Sequence, residues 1–381
     1  MRQLIGKILS GICLPMILVG CGTTKSPTSY TPPPTLPGTF SQVHFVSDQR
    51  GYLATNVLGA HGDLYETSDA GARWHLIWTT PAGVTPLTSM QWFGATGLLV
   101  AAVGKGPQMG NAVSWISLNG GNSWKQVRFP TAINPSTVSA STAHIVVGEA
   151  MTGTWFISVD GGHHWTAMAT VPPASATQVL FVNGTTGYWL ASQGVWQTHN
   201  EGQQWSRISA ISRAWIPTAM SGAVPNHLWI ATTAAGNTSS YNALWIHTTK
   251  GWRQIRVDVP LPKLAIHGFG NNGLSVASSQ NAAATVGILL DSGGSPVIVH
   301  TTNGGTTWRN INVPPVPFSI NPHWRHPLVT AIDVIHRQAM AILLGQPSFS
   351  HAGAAVLEYT NNGGRTWKPV AIAEEGGEHL G

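Results

Sequence analysis

At 381 residues the chain is long enough for two average domains or one large all-β domain, so length leaves the domain count open. Charged residues make up only 9% against roughly 25% in an average globular protein, while Trp numbers 17 and Gly 43. That composition excludes a disordered chain, and the absence of any Lys/Arg run argues against nucleic acid as a partner.

The first element is a leader. Arg2 and Lys7 precede a mostly apolar stretch from Ile8 to Val19, which ends in Leu18-Val19-Gly20-Cys21. A charged start, a short apolar run and a small-residue end are the order of an export signal, and the run is shorter than the ~20 residues a membrane span needs. The final four residues resemble the bacterial lipobox. That resemblance implies removal of residues 1–20 and lipidation of Cys21, which would tether the chain to the outer face of a bacterial membrane. Losing Arg2 and Lys7 lowers the formal charge from +5 to +3, and all 16 His residues remain. Both cysteines, Cys13 and Cys21, fall in this region, so no disulfide or Cys-ligated metal is expected beyond it. Residues 21–40 are dense in Pro, Thr and Ser and read as an extended linker.

From Ser41 to about residue 373 one string recurs: TSDAGARW (Thr67–Trp74), SLNGGNSW (Ser117–Trp124), SVDGGHHW (Ser158–Trp165), THNEGQQW (Thr198–Trp205), TTNGGTTW (Thr301–Trp308) and TNNGGRTW (Thr360–Trp367). Counted back from the Trp, all six have Gly at minus three, Asp or Asn at minus five, and Ser or Thr at minus seven. A worn copy, HTTKGW, ends at Trp252. Asp or Asn is expected to accept hydrogen bonds from N–H groups two or three residues on, and Gly to supply a positive φ. The string is therefore a β-hairpin turn whose Trp opens the next strand. Upstream of each copy lies an apolar strand, a polar turn and a second apolar strand, clearest in VHFVSDQRGYLAT and VLFVNGTTGYWLAS. Each unit thus supplies four strands, and the Trp residues recur every 40–59 residues, the period of a propeller blade. The expected fold is all-β, a seven-bladed β-propeller of four-stranded antiparallel blades, with six blades as the alternative if the worn repeat merges with a neighbour. Residues 374–381 form a tail.

The string resembles the Asp-box, or bacterial neuraminidase repeat, S/T-x-D-x-G-x-x-W, and the arrangement is similar to sortilin-like and photosystem II assembly-factor-like propellers. The resemblance implies a structural turn at the outer rim. Its members here are Asp69, Gly71 and Trp74; Asn119, Gly121 and Trp124; Asp160, Gly162 and Trp165; Asn200, Gly202 and Trp205; Trp252; Asn303, Gly305 and Trp308; and Asn362, Gly364 and Trp367. Four copies carry Asn in place of Asp, which a catalytic carboxylate or a calcium cage would not tolerate.

Function is therefore expected on the opposite face, from the loops between second and third strands and between successive blades. The groups there able to anchor a ligand are Lys105, Arg213, Trp215, Tyr241, His323, Trp324 and Arg325, with Glu149, Lys263 and His351 beside them. His323-Trp324-Arg325 sets an aromatic plate beside cationic donors. A glycosidase needs two carboxylates across the scissile bond, and only Asp63, Glu149 and Asp291 are candidates on that face. The expectation is a non-enzymatic, membrane-anchored scaffold that binds a protein, with a glycan-binding propeller, and behind it a sialidase-like glycosidase, as the alternatives. No metal or cofactor is expected.

Overall fold

The computed structural model describes residues 39–370 apart from 58–60, 83, 94, 104–110, 141–145, 174, 209–210, 212–214, 225–226, 235–241, 256–273, 278–284, 292–295, 314–327, 337 and 346–355. The leader, Cys21, the linker up to residue 38 and the tail lie outside the described residues, as do Lys105, Arg213, Tyr241, Lys263, His323, Trp324, Arg325 and His351.

The described strands form seven antiparallel sheets of four strands each, through residues 39–79, 84–127, 139–167, 176–207, 215–255, 274–312 and 328–370. They are numbered 1 to 7 in chain order, and within each sheet strands A to D pair in sequence, so every sheet is one continuous stretch of chain. The A strands of all seven sheets line a single cavity of about 940 Å³. This is a β-propeller with four-stranded antiparallel blades.

Position in the sheet explains the residue types. The B strands are covered on both sides and run apolar without alternation, as in Gly187–Ala191, where every residue is buried. The D strands lie outermost and are short and polar, as in Thr166–Ala167 and Ser206–Arg207, both exposed. Sheet faces pack on each other through aliphatic and aromatic clusters, and the cluster between sheets 1 and 7 joins Phe45, Leu53 and Trp74 to Leu343, Leu357 and Tyr359.

The repeated string connects strand C to strand D in sheets 1, 2, 3, 4, 6 and 7. In each the Ser or Thr hydroxyl donates to the Asp or Asn Oδ1 at 2.9–3.0 Å and accepts the Gly N–H at 2.7–3.0 Å. The Asp or Asn Oδ1 accepts N–H groups three or four residues on, as from Arg73 (2.9 Å) and Ser123 (3.0 Å), not two or three as the spacing suggests. The difference arises because two successive residues take positive φ, which curls the chain back one residue further: 60–72° at minus four and 79–87° at minus three. The position before the Trp matches the acid or amide. Asn119, Asn303 and Asn362 donate to hydroxyls of Ser123, Thr307 and Thr366, whereas Asp160 meets His164 Nδ1 at 2.6 Å.

The worn copy is a tighter hairpin in which Thr248 pairs with Gly251 across two residues, and Gly251 alone has positive φ. It still closes a four-stranded sheet, and Trp252 Nε1 donates to the Ile208 carbonyl.

The Asp160 carboxyl is held below the usual carboxylate range by the His164 N–H, against partial burial, with further help from the His164 ring and the Ser158 hydroxyl. Its contribution is present above the ordinary Asp pKa and fades as pH falls through the depressed value. Asp160→Asn should therefore change stability at pH 7 by less than about 1 kcal/mol while removing that acid loss. Urea midpoints at pH 7 and pH 3 check both statements.

Candidate functional site

The repeated turns occupy one end of the six sheets that carry them, together with the A–B loops they bond to. The N–H at minus four donates to an A–B carbonyl in four sheets: Ala70 to Gln49, Gly120 to Ala95, Glu201 to Thr185 and Gly363 to Gln338. Their Ser or Thr and Asp or Asn side chains bond to each other within the turn. The other end carries the B–C turns and the connections between sheets.

At that end, between sheets 4 and 5, lies a cavity of about 500 Å³ lined by Pro173, Ser192, Gln193, Gly194, Trp196, Arg207, Ile211 and Trp215. Ser192 and Gln193 are the B–C turn of sheet 4, Arg207 ends its D strand, and Trp215 opens the A strand of sheet 5. The guanidinium of Arg207 lies over the Trp196 ring, 5.8 Å from its centroid, and donates to the Gln193 carbonyl at 2.8 Å. Trp196 is 6% exposed and Trp215 is half-buried. The result is a concave aromatic surface with a fixed cation at its wall, suited to peptide or sugar contacts. Of the predicted ligand-face residues, Trp215 falls in this cavity. Trp196 and Arg207 were missed because they sit on strands C and D, and only folding brings them beside Trp215.

Of the carboxylates singled out from sequence, Asp63 has other partners, and the Asp291 side chain lies outside the described residues. Asp63 is buried and accepts the Thr79 hydroxyl at 2.7 Å, with His61 Nε2 at 3.3 Å. Glu149 is half-buried on its strand, opposite Trp155. Of the two adjacent histidines in sheet 3, His164 turns to Asp160 and His163 Nε2 lies 2.9 Å from Lys125 Nζ. Among the described residues there is no group of three or more His, Cys, Asp or Glu placed to hold a metal ion.

The wall of the central cavity mixes apolar and polar side chains, and four of the polar ones tie one A strand to the next. Gln42 accepts the Met90 N–H, Gln91 that of Ala140 (3.0 Å), Gln178 that of Met220 (2.9 Å), and Ser275 Oγ that of Val334 (2.9 Å).

No family model matches the chain, and no curated protein matches it. Its structure is similar to solved propellers at low identity. The GH74 xyloglucanase from Xanthomonas campestris superposes with a TM-score of 0.61 at 16% identity, covering 86% of this chain and 52% of that one. The chain thus spans about half the length of that enzyme. YCF48 bound to D1 peptide gives 0.51 at 18% identity, covering 87% and 97%. The propeller domain of the Trilobed protease from Pyrococcus furiosus, described as having an open velcro topology, gives 0.53 at 9%, covering 89% and 100%. Likeness at this level establishes the fold.

Proposed function

We propose that the chain is an exported, lipid-anchored propeller whose seven sheets act as blades of one ring, and that it binds a protein partner on the end opposite the repeated turns. The observation that carries the partner reading is the Trp196–Arg207–Trp215 cavity, which offers aromatic faces and a guanidinium where the connecting loops converge. Cys21 is the anchoring residue, the segment up to residue 38 the spacer, and the predicted His323-Trp324-Arg325 cluster a second contact. A peptide segment suits the cavity because aromatic and Arg side chains dominate protein-binding energetics. The peptide-bound state of the YCF48 propeller supports the reading by analogy of fold. A non-enzymatic role is preferred because Asp63 is tied within its own sheet. The second reading is a glycan stacked on Trp215, and a fold shared with a xyloglucanase favours keeping it.

The test is a pull-down from native membranes with the full-length chain as bait, set against an Arg207→Ala, Trp215→Ala double variant whose fold is checked by circular dichroism. Loss of two contact side chains of this kind should weaken binding at least tenfold. A specific protein retained by wild type and lost by the variant supports the proposal. Retention of envelope polysaccharide with no protein moves the assignment to the glycan reading, and equal protein capture by both forms removes this cavity from the contact surface.

A further inference from the structure

Every described sheet is a continuous stretch of chain, so among the described residues no strand is shared between sheets 7 and 1. At four other junctions the acceptor that receives the next A strand's N–H is a neutral amide or hydroxyl, from Gln42, Gln91, Gln178 or Ser275. At the 7/1 junction the same task falls to a carboxylate: Asp333 Oδ2 accepts the Phe45 N–H at 2.5 Å. The Asp333 side chain is only 8% exposed, and a charge so placed needs a counter-ion. Its partner is His44 on the opposing A strand, with Nδ1 3.4 Å from Asp333 Oδ1.

A second pair crosses the same junction in the opposite sense. His336, in the A–B loop of sheet 7, places Nε2 2.7 Å from Oδ1 of Asp48, in the A–B loop of sheet 1. In both pairs the carboxylate's partner is a histidine, where Lys or Arg would have been a permanent cation.

We propose that the junction of sheets 7 and 1 is a histidine–aspartate clasp that holds the ring shut in acid and slackens as pH rises through neutrality. The other ionisable groups packed here do not supply this change. Tyr65 and Tyr359 lie in the apolar cluster of the junction. Burial, aided by the Asp48 charge, raises the Tyr359 phenol, so it stays neutral. Arg50 and Glu66 pair with each other on the side facing sheet 2, where Arg50 reaches the Gly120 carbonyl. Burial opposes the charging of His44, but the Asp333 charge and its hydrogen bond outweigh it, so the His44 pKa is raised. For a base so shifted, the stabilisation is complete below the unfolded His value and disappears as pH climbs through the folded one.

The clasp is tested by amide hydrogen exchange on the full-length chain at pH 5.5 and 7.5, corrected for the intrinsic pH dependence. Protection of the Phe45 amide should be about tenfold greater at pH 5.5. The Met220 amide, held by neutral Gln178, should keep the same protection at both. A His44→Gln, His336→Gln variant should lose the pH dependence at Phe45. The proposal is overturned if that dependence survives the double substitution, or if Met220 shows the same ratio as Phe45. Should the double variant fail to fold, Asp333→Asn decides, since it gives this junction the neutral acceptor used elsewhere. A flat profile at Phe45 then supports the clasp, and a retained tenfold ratio refutes it.

Discussion

Glu358→Gln should gain about 3 kcal/mol in stability relative to wild type on going from pH 4 to pH 8. Glu358 lies on the C strand of sheet 7 directly opposite Ile342, on the face that packs towards sheet 6. It is 3% exposed, and its Oε2 has no hydrogen-bond partner among the described groups. Burial raises its pKa from 4.5 to about 7. Below 4.5 both folded and unfolded chains hold the proton and nothing is lost. Between 4.5 and 7 the unfolded chain ionises first, so stability falls as pH rises, and the loss saturates above 7. A shift from 4.5 to about 7 corresponds to about 3 kcal/mol at 1.36 kcal/mol per unit. The amide introduced by Gln can carry its own packing cost, but that cost is the same at both pH values and cancels in the difference.

His300 conceals this slope in the wild type. It is fully buried on the C strand of sheet 6, and desolvation, with the Arg309 charge, lowers its pKa from 6.5 to about 4. Its contribution is present above 6.5 and lost as pH falls through the folded value, opposite in sign to that of Glu358 and similar in size. The two slopes offset each other between about 4.5 and 6.5. Removing Glu358 should expose acid-side destabilisation from His300. Guanidinium titrations of wild type and Glu358→Gln from pH 4 to 8 measure both, and parallel profiles for the two proteins would refute the assignment.

Gly162→Ala should destabilise by about 2–4 kcal/mol, combining the cost of a left-handed residue with overpacking. Gly162 has φ +87°, and an added Cβ would lie 2.7 Å from Val127 Cγ1, on the D strand of the preceding sheet. Two controls separate these causes. Gly153 has a similar φ of +88° with nothing within 4 Å, so Gly153→Ala should cost only the backbone part, about 1–2 kcal/mol. One residue earlier in the turn, Ala70 and Glu201 already occupy φ 60° and 61°, so Gly161→Ala should cost the least. Equal losses at positions 162 and 153 would remove the inter-sheet contact from the explanation.

That contact shows where the sequence was legible and where it stopped. The register of the six turns is visible because all its partners lie within seven residues of one another. The invariant Gly reads correctly as a positive-φ position, but half of its reason is invisible there. In sheets 2, 3, 4, 6 and 7 it lies against an aliphatic side chain at the outer edge of the sheet before: Ile77, Val127, Met168, Ile255 and Ile311 in turn. Glu358, Asp333 and His44 carry no sequence signal because they stand alone in otherwise ordinary strands. Phe45 and Asp333 are 288 positions apart, and no local pattern announces their meeting. The aromatic cavity was half legible. Trp215 sits in a loop-flanked position that suggests a ligand face, whereas Trp196 reads as one more core residue until Arg207 is seen to lie over it.

Because each sheet is cut from one uninterrupted stretch of chain, it can be handled as a cassette. Duplicating or deleting one whole unit by recombination leaves every remaining strand with the neighbours it had before. Only the fit of flat faces and the tie between adjacent A strands must be re-established. A propeller laced by a shared strand lacks this freedom, since any change in unit number must still return the chain to the same closing sheet. Here the number of units, and with it the width of the central cavity, is open to variation one cassette at a time.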